Sequence, residues 1–396
     1  MKILVVCQYY YPENFIITNI CEELVKKGHE VTVLTGLPNY GFDHILPEYK
    51  KVRYEEINGV KVHRVKLVAK AKNKIKIILN YLSYWKNAKH WIRNCKEEYD
   101  VVFSMSLSPV TILSPANLYK KKHHVKHVCY CVDLWPESVL VTKAVKKKSL
   151  MYRVLYRWSK NLYKKVDQII VGSPSFVEYF KEVLKVDEEN IPVVVQPPLF
   201  SLNDEVKPHE YPNGFHILYC GNLGRIQMVE KIPEAMTKVD NKNIYFDIIG
   251  MGPKKEELLA NIAKYKVSDN VIYHGPIPAR YSRAYFSSAD ALYVSLKNDG
   301  YVGKTIPNKL VMSMAFNKPI LAMLGGDGKT LLDKTGGGLL VEENSDDLAA
   351  KILQISTLSK EKLLEMGSRN YNYFTDNLAL DNAVNKIELL LKKCSK

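Results

Sequence analysis

The sequence predicts an α/β fold made of two tandem Rossmann-like, doubly wound domains that face each other across a crevice. Apolar runs typical of buried strands, such as KILVVCQ and DQIIVGS, alternate with helix-compatible segments along most of the 396 residues. Runs rich in Val and Ile that are followed by helices are typical of a parallel sheet covered on both faces. The alternation is interrupted at residues 196–214, which contain four prolines and are the predicted linker.

A chain of this length is expected to form two domains rather than one core. We place the first domain at residues 1–198 and the second at residues 199–375. The final apolar helical segment, within residues 376–396, has no strand after it. We therefore expect it to pack back on the first domain.

The composition is that of an ordinary globular protein. Hydrophobic residues make up 46% and charged residues 25% of the chain, which excludes a disordered protein. No run approaches the roughly 18 apolar residues of a membrane-spanning helix. The N-terminal MKILVVCQYYYPENF is interpreted as a first strand rather than a signal peptide. The seven cysteines form no CxxC pair and indicate a reduced, cytoplasmic protein.

The net charge of +15 is concentrated in the first half of the chain. Residues 1–200 contain 32 Lys and Arg against 19 Asp and Glu, whereas residues 201–396 contain 25 against 23. Such an excess favours an anionic partner: a nucleic acid, a membrane surface or a phosphorylated acceptor. A solvated lysine-rich surface without a partner is the alternative.

Residues 70–96, KAKNKIKIILNYLSYWKNAKHWIRNCK, form a basic segment with helical periodicity. A basic amphipathic helix with aromatic residues is typical of binding to anionic lipid interfaces. A helix that packs on the core and leaves one face solvated fits equally well. Nucleic-acid binding would need a recognisable module, so we expect no nucleic-acid partner. The segment holds eight Lys and Arg, and its apolar residues recur three and four positions apart: Ile78, Tyr81, Leu82, Trp85, Ala88, Ile92 and Cys95.

The second domain begins with YCGNLGRIQ, Tyr219 to Gln227. A strand ends at Gly221, and Gly224 and Arg225 follow. Glycines let backbone N–H groups approach a phosphate, and a guanidinium beside them adds a bidentate partner. The spacing is not GxGxxG and does not predict a nicotinamide site.

Three further motifs follow in the second domain. FDIIGMGPKKEEL places Gly250 at the end of one strand, and VIYHGPIP places His274 at the end of another, where a structural loop histidine is the alternative. KTIPNKLVMSMAFNKP, Lys304 to Pro319, is typical of a loop that opens a buried helix, with Pro307 in the first turn. Lys309 in that turn has the wrong sign for the positive end of a helix, which favours Asp and Glu. It therefore predicts a bound anion.

Taken in order, GNLGRIQ, GMG, YHGPI and PNKLVMSMAFNKP resemble the nucleotide-sugar half of the GT-B glycosyltransferases of family 4. The N-terminal half agrees, because YYPENFIITNICEELVKKGHEVTVLTGLPNYG looks like the first βαβ unit of this family's bacterial polysaccharide enzymes. DLWPES, Asp133 to Ser138, also matches that subgroup. Each motif is weak alone, but the ordered combination is specific and covers nearly the whole chain.

The resemblance implies a retaining transfer of a sugar from a nucleotide-diphosphate donor, with UDP as the family-level expectation. The leaving diphosphate gains charge in the transition state, where fixed cations stabilise it, and Arg225 and Lys309 are the candidates. No D-x-D triplet occurs, so we expect no metal and no cofactor, in a transferase of the hexosyl or N-acetylhexosaminyl type. The implied donor-binding residues are Gly221, Asn222, Gly224, Arg225, Gly250, His274, Lys304, Thr305, Asn308 and Lys309.

An acceptor site is implied in the first domain. Asp133 follows the strand HVCYCV and, by family position, orients the acceptor hydroxyl or takes its proton. Capping of the turn before Pro136 is the alternative. Glu13 and Asn14 lie in the first βα turn and are further acceptor-binding candidates, although a purely structural turn explains them as well. The catalytic candidates are thus Asp133, Arg225 and Lys309.

One departure from the family pattern concerns two glutamates, eight positions apart, that many members use near the donor sugar and the ribose. Lys304 and Met312 occupy these positions here. Neither can accept a hydrogen bond as a carboxylate does. Asn298, Asp299 and the backbone amides of residues 303–305 are the candidates to replace them.

The sequence therefore predicts a glycosyltransferase that adds a sugar to a polyprenyl-diphosphate-linked saccharide in capsule, O-antigen or exopolysaccharide synthesis. Its basic first domain would hold it as a peripheral protein on the anionic inner face of the cell membrane. A non-catalytic GT-B protein acting as a subunit or scaffold is the alternative, favoured by the two missing glutamates. A nucleotide-sugar epimerase of the same fold fits the PENF and MAFNKP signatures poorly.

Overall fold

The computed structural model describes residues 1–70, 73–141, 145–186, 190–199 and 207–395. Residues 71–72 of the basic segment, residues 200–206 of the predicted linker and residue 396 lie outside this description. The chain divides into two compact units. Unit 1 comprises Met1–Leu199 and Leu380–Lys396, and unit 2 comprises Phe200–Ala379. In the described ranges, no helix has both the length and the apolar character that a membrane crossing requires.

Unit 1 contains a seven-stranded sheet in the order β3-β4-β2-β1-β5-β6-β7. The strands are β1 Lys2–Val6, β2 Glu30–Gly36, β3 Tyr54–Ile57, β4 Val60–Val65, β5 Val101–Ser106, β6 Lys126–Cys131 and β7 Gln168–Val171. The first helices are α1 Ile16–Lys26, α2 Lys74–Asn94, α3 Leu113–His123, α4 Glu137–Val141, α5 Leu150–Tyr163 and α6 Pro174–Glu178, which a π-helical turn, Tyr179–Val183, extends.

Unit 2 contains a six-stranded sheet in the order β10-β9-β8-β11-β12-β13. The strands are β8 Phe215–Cys220, β9 Ile244–Ile249, β10 Val271–Gly275, β11 Ala291–Ser295, β12 Ile320–Met323 and β13 Gly338–Leu340. The helices are α7 Ile232–Met236, α8 Lys255–Tyr265, α9 Ala279–Ser288, α10 Gly300–Gly303, α11 Asn308–Met314, α12 Gly326–Thr335, α13 Ser345–Ser356 and α14 Lys360–Asn377. Helix α15, Leu380–Cys394, then returns the chain to unit 1.

Both sheets are parallel apart from the edge strand β3, which confirms the predicted fold class. With β3 set aside, the strand order in each unit is that of a doubly wound fold, with a switch point beside the first strand. The central strands are apolar throughout: β5 is buried along its whole length, and β1 is buried except for Lys2. The carboxyl ends of β1 and β5, and of β8 and β11, are therefore where ligands are expected to bind.

A hairpin at the edge of unit 1 interrupts the parallel order and was not predicted. Strand β3 pairs antiparallel with β4 through a two-residue turn at Asn58 and Gly59. Both turn residues have positive φ, of 49° and 79°. An Asn-Gly pair with two positive φ angles is the preferred sequence of a type I′ turn, so the hairpin follows from local chemistry.

Helix α15 completes the core of unit 1. Its buried side chains join the cluster formed by α1 and the central strands, and α15 packs directly on α1. Beside these buried side chains, Oε1 of Glu388 lies 2.8 Å from Nε2 of His29. Four side chains of the helix are at most 3% exposed: Ala383, Val384, Ile387 and Leu391.

Helix α2 is amphipathic, and the apolar residues that recur along it divide between the core and the surface. Its buried face consists of Asn80, Tyr84, Ala88 and Ile92, each at 0% exposure. Of the apolar residues that recur along the segment, Ala88, Ile92 and Cys95 are buried, whereas Ile78 and Leu82 are 57% and 46% exposed. The helix therefore turns an apolar stripe toward solvent.

Candidate functional site

The candidate site of unit 2 lies where β8 ends, beside the point at which the strand order reverses. Gly221 follows β8 and has a φ of 150°, as does Gly250 after β9. A methyl group on Gly250 would come within 1.8 Å of the carbonyl oxygen of Gly221. The two loops are thus in backbone contact, which only glycine permits at this separation.

Backbone hydrogen bonds hold the two glycine loops together. The N–H of Gly221 donates to the carbonyl of Ile249 at 2.9 Å, and the N–H of Leu223 donates to Met251 at 3.0 Å. The glycines of GNLG and GMG therefore allow the two loops to bond to each other through their backbones. The backbone of this turn is fixed before any ligand binds.

Lys309 reaches from the first turn of α11 to this turn. Its ammonium donates hydrogen bonds to the hydroxyl of Tyr219 and, at 3.2 Å, to the carbonyl of Asn222. It also lies 4.3 Å from the centroid of the Tyr219 ring. A methyl group on Gly221 would come within 2.2 Å of Cε of Lys309. The structure thus brings together the two motifs that the sequence separates by nearly 90 residues.

The electrostatic setting of Lys309 is unusual for a lysine. Burial lowers the pKa of its ammonium to about 7. Among the described residues, no carboxylate lies within ion-pair distance of it. A desolvated cation that lacks a counter-ion is costly to the folded protein, and an anionic ligand would remove that cost.

The other predicted donor-binding residues differ in exposure and in their local contacts. Arg225 and Asn222 are exposed, and Gly224 is buried beside the side chain of Gln227. Lys304 is exposed, with its ammonium 5.6 Å from the centroid of the Tyr301 ring. The Thr305 hydroxyl donates to the carbonyl of Val302 at 3.1 Å, and Asn308 is the first residue of α11.

His274 has a partner inside unit 2. Its Nε2 lies 2.7 Å from Oδ1 of Asp247, which is fully buried in β9, and Nδ1 of His216 lies 2.8 Å from Oδ2 of the same carboxylate. Burial raises the pKa of Asp247, but the hydrogen bonds and charges of the two histidines together lower it by more. This arrangement agrees with the structural alternative for His274.

The candidate site of unit 1 centres on Asp133, which follows β6. The Ser108 hydroxyl, in the loop after β5, donates to Oδ2 of Asp133 and lies 2.5 Å from the hydroxyl of Ser138. Burial raises the pKa of the Asp133 carboxyl, although the Ser108 hydrogen bond opposes the shift. The side chain is half-buried, so it remains accessible at the carboxyl edge of the sheet.

Glu13 and Asn14, the other predicted acceptor-binding residues, differ in their surroundings. Glu13 is only 9% exposed, and one of its oxygens accepts from the backbone N–H groups of Asn39 and Tyr40. Burial raises the pKa of Glu13, and these two N–H donors oppose the shift. Asn14 is exposed. Glu13 therefore joins the loop after β1 to the loop after β2.

Sequence reasoning missed two residues that orient the candidate groups. Tyr219 holds the Lys309 ammonium, and its own hydroxyl donates to the carbonyl of Asn222 at 2.6 Å. Ser108 holds the Asp133 carboxylate. Tyr219 lies near the end of β8 and Ser108 follows β5, and both strands lie at the switch point of their sheet. This position is the signal that could have identified the two residues.

Two family models match the chain, one on each half. Residues 15–196 match Glycosyltransferase Family 4, and residues 214–357 match Glycosyl transferases group 1. The first match lies within unit 1 and the second within unit 2. Together they take in most of both sheets, with Asp133 in the first match and Lys309 in the second.

Proteins of known sequence or structure agree with these models. A curated protein of Pseudomonas aeruginosa, "Probable glycosyltransferase WbjE", is 27% identical over 268 residues, which are 64% of this chain and 65% of WbjE. The matched region thus spans a little under two thirds of that relative's length.

Two solved structures share the fold along the whole chain. HepE of Anabaena, solved in complex with UDP and glucose, has a TM-score of 0.70 at 14% identity and covers 99% of this chain and 100% of its own. Sucrose-phosphate synthase of Thermosynechococcus elongatus has a TM-score of 0.69 at 15% identity, with coverage of 99% and 98%. With both family models matched in order and the GT-B fold in place, the chain belongs to the family 4 glycosyltransferases.

Proposed function

We propose that the protein is a retaining, metal-independent glycosyltransferase that moves a sugar from a UDP-linked donor to a polyprenyl-diphosphate-linked saccharide in cell-surface polysaccharide synthesis. The observation that carries this proposal is the partly buried ammonium of Lys309, held against the turn at Gly221 with no carboxylate of the described residues within ion-pair distance. A site of this charge and shape suits a diphosphate.

The donor diphosphate is proposed to lie over the turn at Gly221 and Gly250, beside the ammonium of Lys309. As the sugar–phosphate bond breaks, negative charge accumulates on the leaving diphosphate. A cation that is already in place stabilises this charge without reorganisation, and this is the main source of rate enhancement in such a site. Arg225, exposed in the same loop, is the second cation within reach of the phosphates.

The acceptor hydroxyl is proposed to approach Asp133. A half-buried carboxylate with a raised pKa is a suitable general base, because it takes a proton more readily than an ordinary aspartate. The Ser108 hydroxyl and the backbone N–H groups of Ser108 and Leu134 hold the carboxylate in place by hydrogen bonding. In this proposal, Glu13 positions the loop after β2 and does not itself bind the acceptor.

A panel of nucleotides tests the donor assignment. We expect UDP and UDP-sugars to raise the melting temperature of the protein by several degrees at millimolar concentration, because they bind only the folded state. ADP and GDP should give smaller shifts. The measurement is a thermal melt of the full chain with each nucleotide, with and without added EDTA.

The panel also separates the proposal from its alternative. The replacement of the family glutamates by Lys304 and Met312 favours a non-catalytic scaffold. A scaffold without a donor site would show no shift with any nucleotide. A shift that EDTA abolishes would contradict the metal-independent assignment.

Attachment to an anionic membrane surface is proposed through the helical layer α2, α3 and α5 of unit 1, in which α3 packs between the other two. Exposed apolar side chains occur in the first half of α2 and at the start of α5. Exposed Lys and Arg on the same helices suit an anionic surface. The apolar side chains, 44% to 74% exposed, are Ile75, Ile78, Leu79 and Leu82 of α2, and Leu150, Met151 and Val154 of α5.

Replacing part of this surface should release the protein from vesicles. We expect Ile78→Ser with Leu82→Ser to weaken binding to phosphatidylglycerol vesicles about tenfold, because two apolar side chains no longer enter the interface. Binding should also weaken at about 0.5 M salt. Vesicle co-sedimentation measures both effects.

A matched control is available on other helices. Leu364 on α14 and Leu389 on α15 are 52% and 68% exposed, so the same double change to serine there removes similar apolar surface. Equal loss of binding in both double variants, or undiminished binding at high salt, would contradict the proposed surface.

A further inference from the structure

An aromatic cluster lies at the carboxyl edge of the unit 1 sheet, next to the residues already described. The ring of Tyr40, in the loop after β2, meets Tyr9 and Phe15 edge-on at centroid distances of 5.1 Å and 4.9 Å. Tyr9 and Phe15 stack on each other at 5.0 Å. Tyr40 itself is 49% exposed. Its ring therefore has a fixed orientation and a free surface toward solvent.

The ammonium of Lys70 lies over this cluster. It is 5.3 Å from the ring centroids of Tyr40 and Tyr81 and 5.9 Å from that of Tyr9. It also donates a hydrogen bond to the Tyr81 hydroxyl at 3.0 Å. In the described part of the chain, Lys70 makes no ion pair. Three tyrosine rings thus hold a cation without neutralising it.

Buried amides fix the loops that carry these groups. Nδ2 of Asn80 donates to Oδ1 of Asn39 at 2.9 Å, and Nε2 of Gln8 donates to Oδ1 of Asn80 at 2.8 Å. Gln8 is 5% exposed, and the other two are fully buried. The N–H of Lys70 donates to the same Asn39 oxygen at 3.1 Å.

The amide network has a consequence for binding. A satisfied buried network of this kind specifies one arrangement, because any alternative leaves amides unpaired. Glu13, which accepts from the N–H groups of Asn39 and Tyr40, secures the same loop. The rings and the cation are therefore preorganised, which lowers the entropic cost of ligand binding.

We propose that Tyr40 and Lys70 form an acceptor subsite for a phosphate-linked sugar: the sugar ring stacks on the exposed face of Tyr40, and Lys70 pairs with the phosphate. The inference rests on the proposed function, whose acceptor carries both groups. An aromatic face suits the apolar C–H face of a pyranose, and a cation without a counter-ion suits a phosphate. Both residues belong to unit 1, whereas the proposed donor-binding residues belong to unit 2.

The test is direct binding, independent of turnover. The probes are farnesyl-diphosphate-linked N-acetylglucosamine and free N-acetylglucosamine 1-phosphate, titrated calorimetrically into the full chain. We expect Tyr40→Ala and Lys70→Ala each to weaken binding about tenfold, and Tyr40→Trp to retain it, while the affinity for UDP stays unchanged. Tighter binding of the lipid-linked probe indicates a membrane acceptor, and equal binding indicates a soluble sugar phosphate; both support the subsite.

Two control substitutions lie on helices α14 and α15, outside the proposed subsite. Tyr371→Ala on α14 and Lys386→Ala on α15 remove an exposed tyrosine and an exposed lysine elsewhere and should bind both probes normally. Wild-type affinity in Tyr40→Ala and Lys70→Ala, or no binding of either probe by the wild type, would overturn the subsite. Failure of the wild type to bind UDP would instead overturn the donor assignment, which separates the two proposals.

Discussion

Replacing Lys309 with methionine is expected to lower turnover by about 10²–10³-fold and, at the same time, to raise the melting temperature of the ligand-free protein. Turnover falls because the leaving diphosphate loses its cation. Stability rises because methionine fills similar space without burying a charge, and the Tyr219 hydroxyl keeps its bond to the carbonyl of Asn222. Steady-state kinetics and thermal melts measure the two effects.

The pH dependence of both effects follows from the lowered pKa of Lys309. In the folded protein the ammonium loses its proton near pH 7, whereas in the unfolded chain it does so near pH 10.5. Between these values the unfolded state binds more protons, so the free energy of unfolding of the wild type rises with pH. The stability gained from Lys309→Met should thus be largest at pH 7 and below and shrink toward pH 10.

The affinity of the wild type for UDP should fall with rising pH, whereas its free energy of unfolding rises. The ammonium of Lys309 attracts the diphosphate and its neutral amine does not, so the affinity of the wild type is expected to fall as the pH rises above about 7. Lys309→Arg retains the charge and should remove this fall. A methionine variant that turns over normally, or that is less stable than the wild type at pH 6, would contradict the assignment of Lys309 as the diphosphate cation.

Asp133→Asn is expected to lower the turnover number by about 10²–10⁴-fold while leaving the affinity for UDP unchanged. The amide keeps the shape of the side chain and an oxygen for the Ser108 hydroxyl, but it cannot take a proton. Since burial raises the pKa of Asp133, wild-type turnover should decline on the acid side at a pH above the ordinary aspartate value. Kinetics across pH 4 to 8 measure the decline.

Two comparisons make the Asp133 result specific. Asp376→Asn, an exposed carboxylate on α14, should leave both turnover and the pH profile unchanged. Ser108→Ala removes the hydrogen bond that opposes the shift, so the acid-side decline should move to higher pH. An asparagine variant that retains the wild-type rate would show that Asp133 only caps its turn.

The parts of the site that follow from backbone constraints were predictable from sequence. Gly221 and Gly250 mark positions where two backbones touch, and glycine is the residue that such contact requires. Lys309 stood out because its charge conflicts with its place at a helix start. In the structure α11 has only seven residues, and the ammonium reaches back to Tyr219 rather than over its own helix end. The positive charge of Lys309 at a helix start thus pointed to the site, although the ammonium contacts Tyr219 and the helix dipole has only a minor part in its setting.

The parts that depend on side-chain partners distant in sequence were not predictable. Apolar spacing left a lipid interface and the core open for α2, and it did not indicate that Asn80 is buried while Ile78 and Leu82 are exposed. An amide can occupy a core position only when its partners, here Gln8 and Asn39, come from other loops. Periodicity within one helix contains no information on such partners.

The same limit applies to the candidate acidic and imidazole groups. Glu13 and His274 are polar residues at strand ends, where ligands are expected, but each already has a partner within its own unit. Only the three-dimensional arrangement distinguishes a residue that supports a loop from one that is left for a ligand.

The return of α15 to unit 1 has a consequence for the order in which the protein folds during synthesis. The ribosome makes roughly 180 residues between Leu199 and Leu380, so α15 follows the rest of unit 1 by about ten seconds or more. Until then, α1 lacks the side chains of Val384, Ile387 and Leu391 that complete its core. The first half to leave the ribosome is therefore the last to finish folding, and during this interval its uncovered apolar surface is the natural target of chaperones.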